Sequence, residues 1–220
     1  MNNTLIVIDG LDGSGKSTQF DIIKDKLSQE HTVKAISFPE YDKPSSALVK
    51  MYLSGEISEN AADINAYAAS SFYAVDRYVS YKKYWEKNYK NGELILASRY
   101  VTSNAIHQMS KLPESEWDSY LSWLEDYEYS KFGLPRPNCV IFLDMPIEIS
   151  QKLMSERYKG DERKKDIHES NIAYLKTCRK TALYAAEKLG WNVIGCSDGE
   201  KPLPIDEITH KLIDVINKIL

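Results

Sequence analysis

The stretch Leu5-Ile6-Val7-Ile8-Asp9-Gly10-Leu11-Asp12-Gly13-Ser14-Gly15-Lys16-Ser17-Thr18 constrains this chain more than any other. Its apolar run reads as a buried strand that passes directly into Gly-x-x-x-x-Gly-Lys-Ser, with a helix-forming segment behind it. Such a turn is a phosphate cradle. Gly10, Gly13 and Gly15 allow backbone angles that aim successive N–H groups at phosphate oxygens, and a helix starting near Gly15 adds the positive end of its dipole. Ser14 and Thr18 complete the loop and the first turn. Lys16 is then expected along the β- and γ-phosphates, and the Ser17 hydroxyl on Mg²⁺. A glycine-rich turn with an unrelated lysine is the competing reading, and the flanking strand and helix argue against it.

The rest of the chain fits one α/β domain over residues 1–220, although length alone would also allow two smaller ones. Lys plus Arg number 28 against 32 Asp plus Glu, so no broad basic surface points to nucleic acid. Met1-Asn2-Asn3-Thr4 leads straight into the first strand without a basic or long apolar leader, so a cytoplasmic protein without membrane attachment is expected. Cys139, Cys178 and Cys196 lack metal-ligand spacing and are expected as isolated thiols.

Strand and helix patterns alternate. Phe20, Ile23 and Leu27 form a helical stripe, Val33 to Phe38 a strand ended by Pro39, and residues 45–53 a short helix closed by Gly55. A long helix runs from Asp63 to about Tyr89, with Ile64, Ala68, Phe72, Val75 and Val79 as its expected apolar face. Leu94 to Ala97 is a strand, followed by helical segments at 102–111 and 114–129. Cys139 to Leu143 is another strand; Asp144 and Pro146 start a helix that a basic, polar stretch from Arg157 to Lys165 interrupts, and a helix from about 168 to 189, a strand at 191–196 and a terminal amphipathic helix complete the chain. Five apolar strands separated by helices imply a parallel sheet covered on both faces.

With these motifs in order, the chain resembles the thymidylate kinase family over almost its whole length. The resemblance rests on the phosphate loop, Phe38-Pro39, Tyr73-Ala74-Val75-Asp76-Arg77, Arg99-Tyr100 with Ser103-Asn104, Phe142-Leu143-Asp144-Met145-Pro146, and the polar segment from Arg157 to Glu169. It implies a P-loop NTPase fold, a five-stranded parallel sheet in the order 2-3-1-4-5, a homodimer, and transfer of the ATP γ-phosphoryl to dTMP. Tyr73 and Arg77 lie four apart, so on a helix they share a wall that suits a pyrimidine, the ring stacking and the guanidinium donating to a carbonyl. Ordinary packing is the alternative for Tyr73. Arg99 follows the third strand, where a planar fork can hold a monophosphate, and Asn104 can read a base edge with a donor and an acceptor. By resemblance, Asp12 orients the acceptor or metal-bound water, and Tyr41 lies near the acceptor phosphate unless it is plain loop packing.

A lid at about 156–167 carries Arg157 and Arg163, which the resemblance makes stabilisers of the transferred group; a solvated basic face is the alternative reading. Three positions depart from the family pattern. Ser98 replaces an Asp before the Arg-Tyr pair, Glu40-Tyr41 stands where an arginine often follows Phe-Pro, and His107 replaces a tyrosine near the sugar. Either Asp9 or Asp12 supplies the missing carboxylate, with Asp12 preferred, or the enzyme works with weaker metal affinity and slower turnover. A related kinase for another nucleotide or nucleoside shares the donor site, and a non-catalytic nucleotide switch would lack use for the acceptor-side cluster.

Overall fold

The computed structural model describes residues 3–58, 63–157 and 171–220. Strands β1 (Leu5–Gly10), β2 (Val33–Ser37), β3 (Leu94–Ser98), β4 (Cys139–Asp144) and β5 (Asn192–Gly195) form one parallel sheet in the order β2-β3-β1-β4-β5. β1 is central and every residue in it is buried, which is why it reads as an unbroken apolar run and not as an alternation. Its period of two still operates. Leu5 and Val7 enter one core with Ile95, Tyr100, Trp117 and Leu124, whereas Ile6 and Ile8 enter the other with Ile23, Leu96, Ile141 and Leu212.

The helices are α1 (Lys16–Leu27), α2 (Ala47–Leu53), α3 (Ala66–Ser80), α4 (Glu86–Lys90), α5 (Thr102–His107), α6 (Trp117–Glu125), α7 (Ile147–Arg157), α8 (Ile172–Leu189) and α9 (Ile205–Ile216). α1 and α9 cover one face of the sheet through Ile23, Leu27, Ile208, Leu212 and Ile216. α5, α6 and α8 contribute Ala105, Leu121 and Ala185 to the other. The chain leaves β1 for one side of the sheet and returns to its other side at β4, so the crevice for ligands opens at the carboxyl ends of β1 and β3.

Two expectations need correction. The apolar stripe of Phe72, Val75 and Val79 on α3 is only half-buried; the buried face is Ala66, Ala69, Ser70, Ala74, Arg77 and Ser80, with Asp76 beside it. Ser70 Oγ on this face meets the Tyr120 OH that reaches across from α6 at 2.5 Å, and Arg77 turns inward because its carboxylate partner is buried there. The long helices are also not uniform. α3 continues through a π-helical turn at Tyr81–Trp85 into α4, and α6 passes into another at Asp126–Lys131. Asn65 and Asn171 cap α3 and α8 by accepting from Ala68 N and Tyr174 N. The three cysteines are free and buried. Among the described residues no helix is long and apolar enough to cross a membrane.

Candidate active site

The loop after β1 has the shape that its glycines permit. Gly13 and Gly15 have φ of 76° and 81°, and a Cβ on Gly13 would stand 2.7 Å from the Ser150 carbonyl oxygen. Ser14 N donates to Leu11 O at 3.2 Å to close the turn, and Gly15 is the residue from which α1 starts. The Ser14 hydroxyl is buried without a hydrogen-bond partner. Ser17 and Thr18 are exposed on the first turn, and neither hydroxyl is bonded among the described residues. Gly13 to Thr18 line one cleft with Met145, Leu153, Met154 and Leu203. A second cleft shares Asp12, Lys16 and Ser17 with it and runs toward α3 and α5.

Arg99 dominates the second cleft. It follows β3 with φ of 63°, a left-handed backbone that costs a non-glycine residue on the order of 1 kcal/mol and that turns the side chain back toward the phosphate loop. Its Nη2 donates to Asp12 Oδ1 at 2.7 Å and its Nη1 to His107 Nε2 at 2.9 Å. Because an arginine only donates, this contact is a hydrogen bond in the His107 tautomer whose Nε2 is bare; Nδ1 lies 3.3 Å from Tyr174 OH. Burial pushes the Asp12 carboxyl up, but Arg99 and Lys16 outweigh it and hold it below the usual carboxylate range. Burial and the Arg99 charge pull the Lys16 ammonium down to about 8, against the opposing effect of Asp9 and Asp12.

The two candidates for the missing carboxylate differ sharply. Asp9 is fully buried and committed: it accepts from Gly10 N at 2.8 Å, Thr102 Oγ1 at 2.6 Å and Ser103 Oγ at 2.8 Å, with Arg99 Nη1 at 3.8 Å. Asp12 keeps 29% of its side chain exposed between the two clefts. Ser98 is buried at the cleft floor beside Asp9's neighbour Ile8 in the sheet register. Glu40 does not line the cleft. Its backbone N–H donates to Asp76 Oδ2 at 3.0 Å, and burial pushes its carboxyl up.

The far wall of this cleft holds Phe38, Pro39, Tyr41, Tyr73, Arg77, Ser103, Asn104 and His107, so the acceptor-side residues singled out in the sequence meet around one space. Tyr73 packs edge-on against Tyr52, their centroids 6.3 Å apart. Arg77 is 1% exposed and forms a fork with Glu128, Nε to Oε2 and Nη2 to Oε1 at 2.6 Å each, while Nη1 donates to Tyr100 O at 3.2 Å. Asn104 uses its amide nitrogen within the chain, donating to Ser70 O at 3.1 Å and Glu128 Oε1 at 3.0 Å. The expectation of a donor from Asn104 therefore fails, since both amide hydrogens are taken. Glu128, Tyr52, Gln108 and Tyr174 were not singled out in the sequence; only the aromatic residues carry a local signal, as neighbours of helical apolar positions. Arg163 and most of the lid at about 156–167 lie outside the described residues. Arg157 ends α7, and its side chain lies outside the described set as well.

A glycine-rich cradle and a basic, aromatic cleft that converge on one lysine at the carboxyl edge of a 2-3-1-4-5 sheet define a P-loop nucleotide kinase. The sequence model described as thymidylate kinase matches residues 8–203, and the chain belongs to the thymidylate kinase family. Relatives include the thymidylate kinase of Mycobacterium tuberculosis, 27% identical over 71% of each chain, and that of Schizosaccharomyces pombe, 24% identical over 98% of this chain and 92% of the other. The solved thymidylate kinase of Candida albicans shares the fold with a TM-score of 0.70 at 21% identity, covering 99% of this chain and 92% of that one.

Proposed function

We propose that this protein is a dTMP kinase that transfers the γ-phosphoryl of ATP to an oxygen of the dTMP phosphate, giving dTDP and ADP, with residues 1–220 acting as one domain. The observation that carries the reading is the meeting of two clefts at Asp12, Lys16 and Ser17, with Arg99 on the acceptor side. The phosphate-loop amides and Lys16 hold the donor, and Arg99 holds the acceptor phosphate by exchanging its bond to Asp12 for the incoming oxygens. Tyr73 stacks on the base, Arg77 and Asn104 read its edge, and Phe38, Pro39, Tyr41, Ser103 and His107 enclose the sugar and phosphate. Arg157 and Arg163 approach the transferred group from the lid.

The unbonded Ser17 hydroxyl, next to a partly exposed Asp12, fits Mg²⁺, which takes one or two protein oxygens and completes its shell with phosphate and water. Bound there, the ion supplies charge neutralisation on the phosphate oxygens. The chain works as a cytoplasmic homodimer on these two small molecules, without nucleic acid or membrane; the net charge of -4 supports the first exclusion, and the half-exposed apolar side of α3 supports the dimer. A coupled assay with ATP, Mg²⁺ and dTMP, dUMP, dCMP or dGMP in turn tests the activity. ADP formation is expected with dTMP well above the purine, and dependence on another acceptor in place of dTMP would overturn the assignment.

A further inference from the structure

Glu128 lies wholly buried in the π-helical turn at Asp126–Lys131, behind the wall that faces the acceptor base. Burying a carboxylate is costly unless it is paired and hydrogen-bonded, and this one is used on both oxygens: Oε2 accepts from Arg77 Nε, while Oε1 accepts from both Arg77 Nη2 and Asn104 Nδ2. A structural role would be satisfied by the Arg77 fork alone. The third bond has a different consequence.

We propose that Glu128 is a positioning residue that sets the base selectivity of the acceptor cleft, an inference that rests on the dTMP kinase reading and deepens it. A side-chain amide left to itself can present either its oxygen or its nitrogen, and for a pyrimidine edge the two orientations select opposite partners. The oxygen accepts from the ring N3–H of thymine; the nitrogen donates to the bare N3 of cytosine. In this chain Asn104 cannot choose. Its two amide hydrogens go to Glu128 Oε1 and Ser70 O, and a flip would set Oδ1 against those two acceptors. Oδ1 has no partner among the described residues and is left for the cleft that Asn104 lines. Arg77 is fixed by the same carboxylate. Three of its five N–H groups are bound within the chain, leaving one hydrogen on each terminal nitrogen. These can only donate, which matches a ring carbonyl and opposes the exocyclic amino group of cytosine. Glu128 thus converts a flexible amide and a fork into a fixed acceptor beside a fixed donor.

The test is Glu128→Met, which keeps a side chain of similar length but removes both acceptors. With no acceptor at Oε1, the Asn104 amide loses one of the two groups that fix its orientation and can rotate. The expected result is a fall of about tenfold or more in the ratio of kcat/KM for dTMP to that for dCMP, with KM for ATP unchanged. Equal losses on both acceptors, with the ratio kept, would show that Glu128 only stabilises the fold and would overturn the proposal. An inactive wild type with dTMP would instead overturn the dTMP kinase reading itself. Because the variant can fail to fold, a second measurement uses the wild-type protein with ¹⁵N-labelled asparagine. The Asn104 side-chain amide protons should stay protected and scarcely shift when dTMP binds, since the oxygen does the reading. A large shift of that pair on binding dTMP would mean that the nitrogen turns to the base, and the proposal would fall.

Discussion

Lys16 is the residue whose charge matters most and is held least securely. Burial and Arg99 pull its ammonium down to about 8, and its charged form is the one that binds phosphate. Affinity for ATP is therefore complete below that value and should fall as pH rises through it, by up to about tenfold per pH unit. Calorimetric titration of ATP from neutral to alkaline pH checks the slope, and Lys16→Arg, which stays charged, should flatten it. Lys16→Ala should reduce turnover by orders of magnitude while the melting transition remains, because the residue begins α1 at the cleft and lies outside the core. Asp12→Asn belongs beside it. Asp9 is enclosed by Thr102 and Ser103, so Asp12 is the carboxylate able to reach the acceptor or metal-bound water, and its loss should be severely inactivating. Ser98→Asp should change turnover modestly and move the Mg²⁺ titration to lower concentration; a large gain from it with little effect of Asp12→Asn would reverse the assignment. Arg77→Ala strands Glu128, and removing one partner of a buried pair costs about 3–5 kcal/mol, so urea unfolding should show a loss of that size. The phosphate loop was legible in the sequence because its chemistry is local, fourteen consecutive positions from strand to helix. Glu128 was not, because its partner Arg77 lies 51 positions away and nothing near either residue marks the other.

At the scale of elements, the loop between β1 and α1 separates two demands on glycine. Gly13 needs both its positive φ and the empty space beside Ser150, whereas Gly15 has a positive φ and nothing within 4 Å of a would-be Cβ. Gly15→Ala should cost about 1–2 kcal/mol of stability from backbone strain alone. Gly13→Ala adds a collision with backbone and should cost more and displace α7. Unfolding midpoints of the two variants, measured without nucleotide, decide the order. The strands and their buried pattern were legible as short apolar runs. The facing of α3 was not: spacing marks a stripe of large apolar residues, but packing chose the side with small residues and Arg77, where the Ser70–Tyr120 contact and a paired buried charge outweighed the area of Phe72 and Val75. The π-helical turns also shift the phase of the helices they interrupt, so the 3.6-residue rule fails past Tyr81 and past Asp126.

At the scale of the whole molecule, the choice of the α3 face leaves Phe72, Val75 and Val79 half-buried, with Leu48 and Tyr78 each 38% exposed on the neighbouring surface. Single exposed apolar residues are ordinary, but a stripe along one helix is the kind of surface the proposed dimer would bury. Light scattering should give twice the mass of one chain, and Val75→Glu should halve it while leaving the thermal transition of each subunit intact. A monomer in the wild type would remove the dimer from the proposed function.

The contact between Arg99 and Asp12, with His107 on the other nitrogen, means that the arginine already carries its own counterion. On the proposed role of Arg99, acceptor binding would be an exchange in which a foreign anion displaces a tethered one, and no bare cation would wait in solvent to collect whatever anion is abundant. Stray inorganic phosphate competes poorly under such terms, since it must displace the carboxylate without the base contacts that help a nucleotide do so. Because the displaced carboxylate stays tethered, the cleft gains the acceptor's whole negative charge as it fills, and added salt should weaken acceptor binding by screening Arg99 and Lys16.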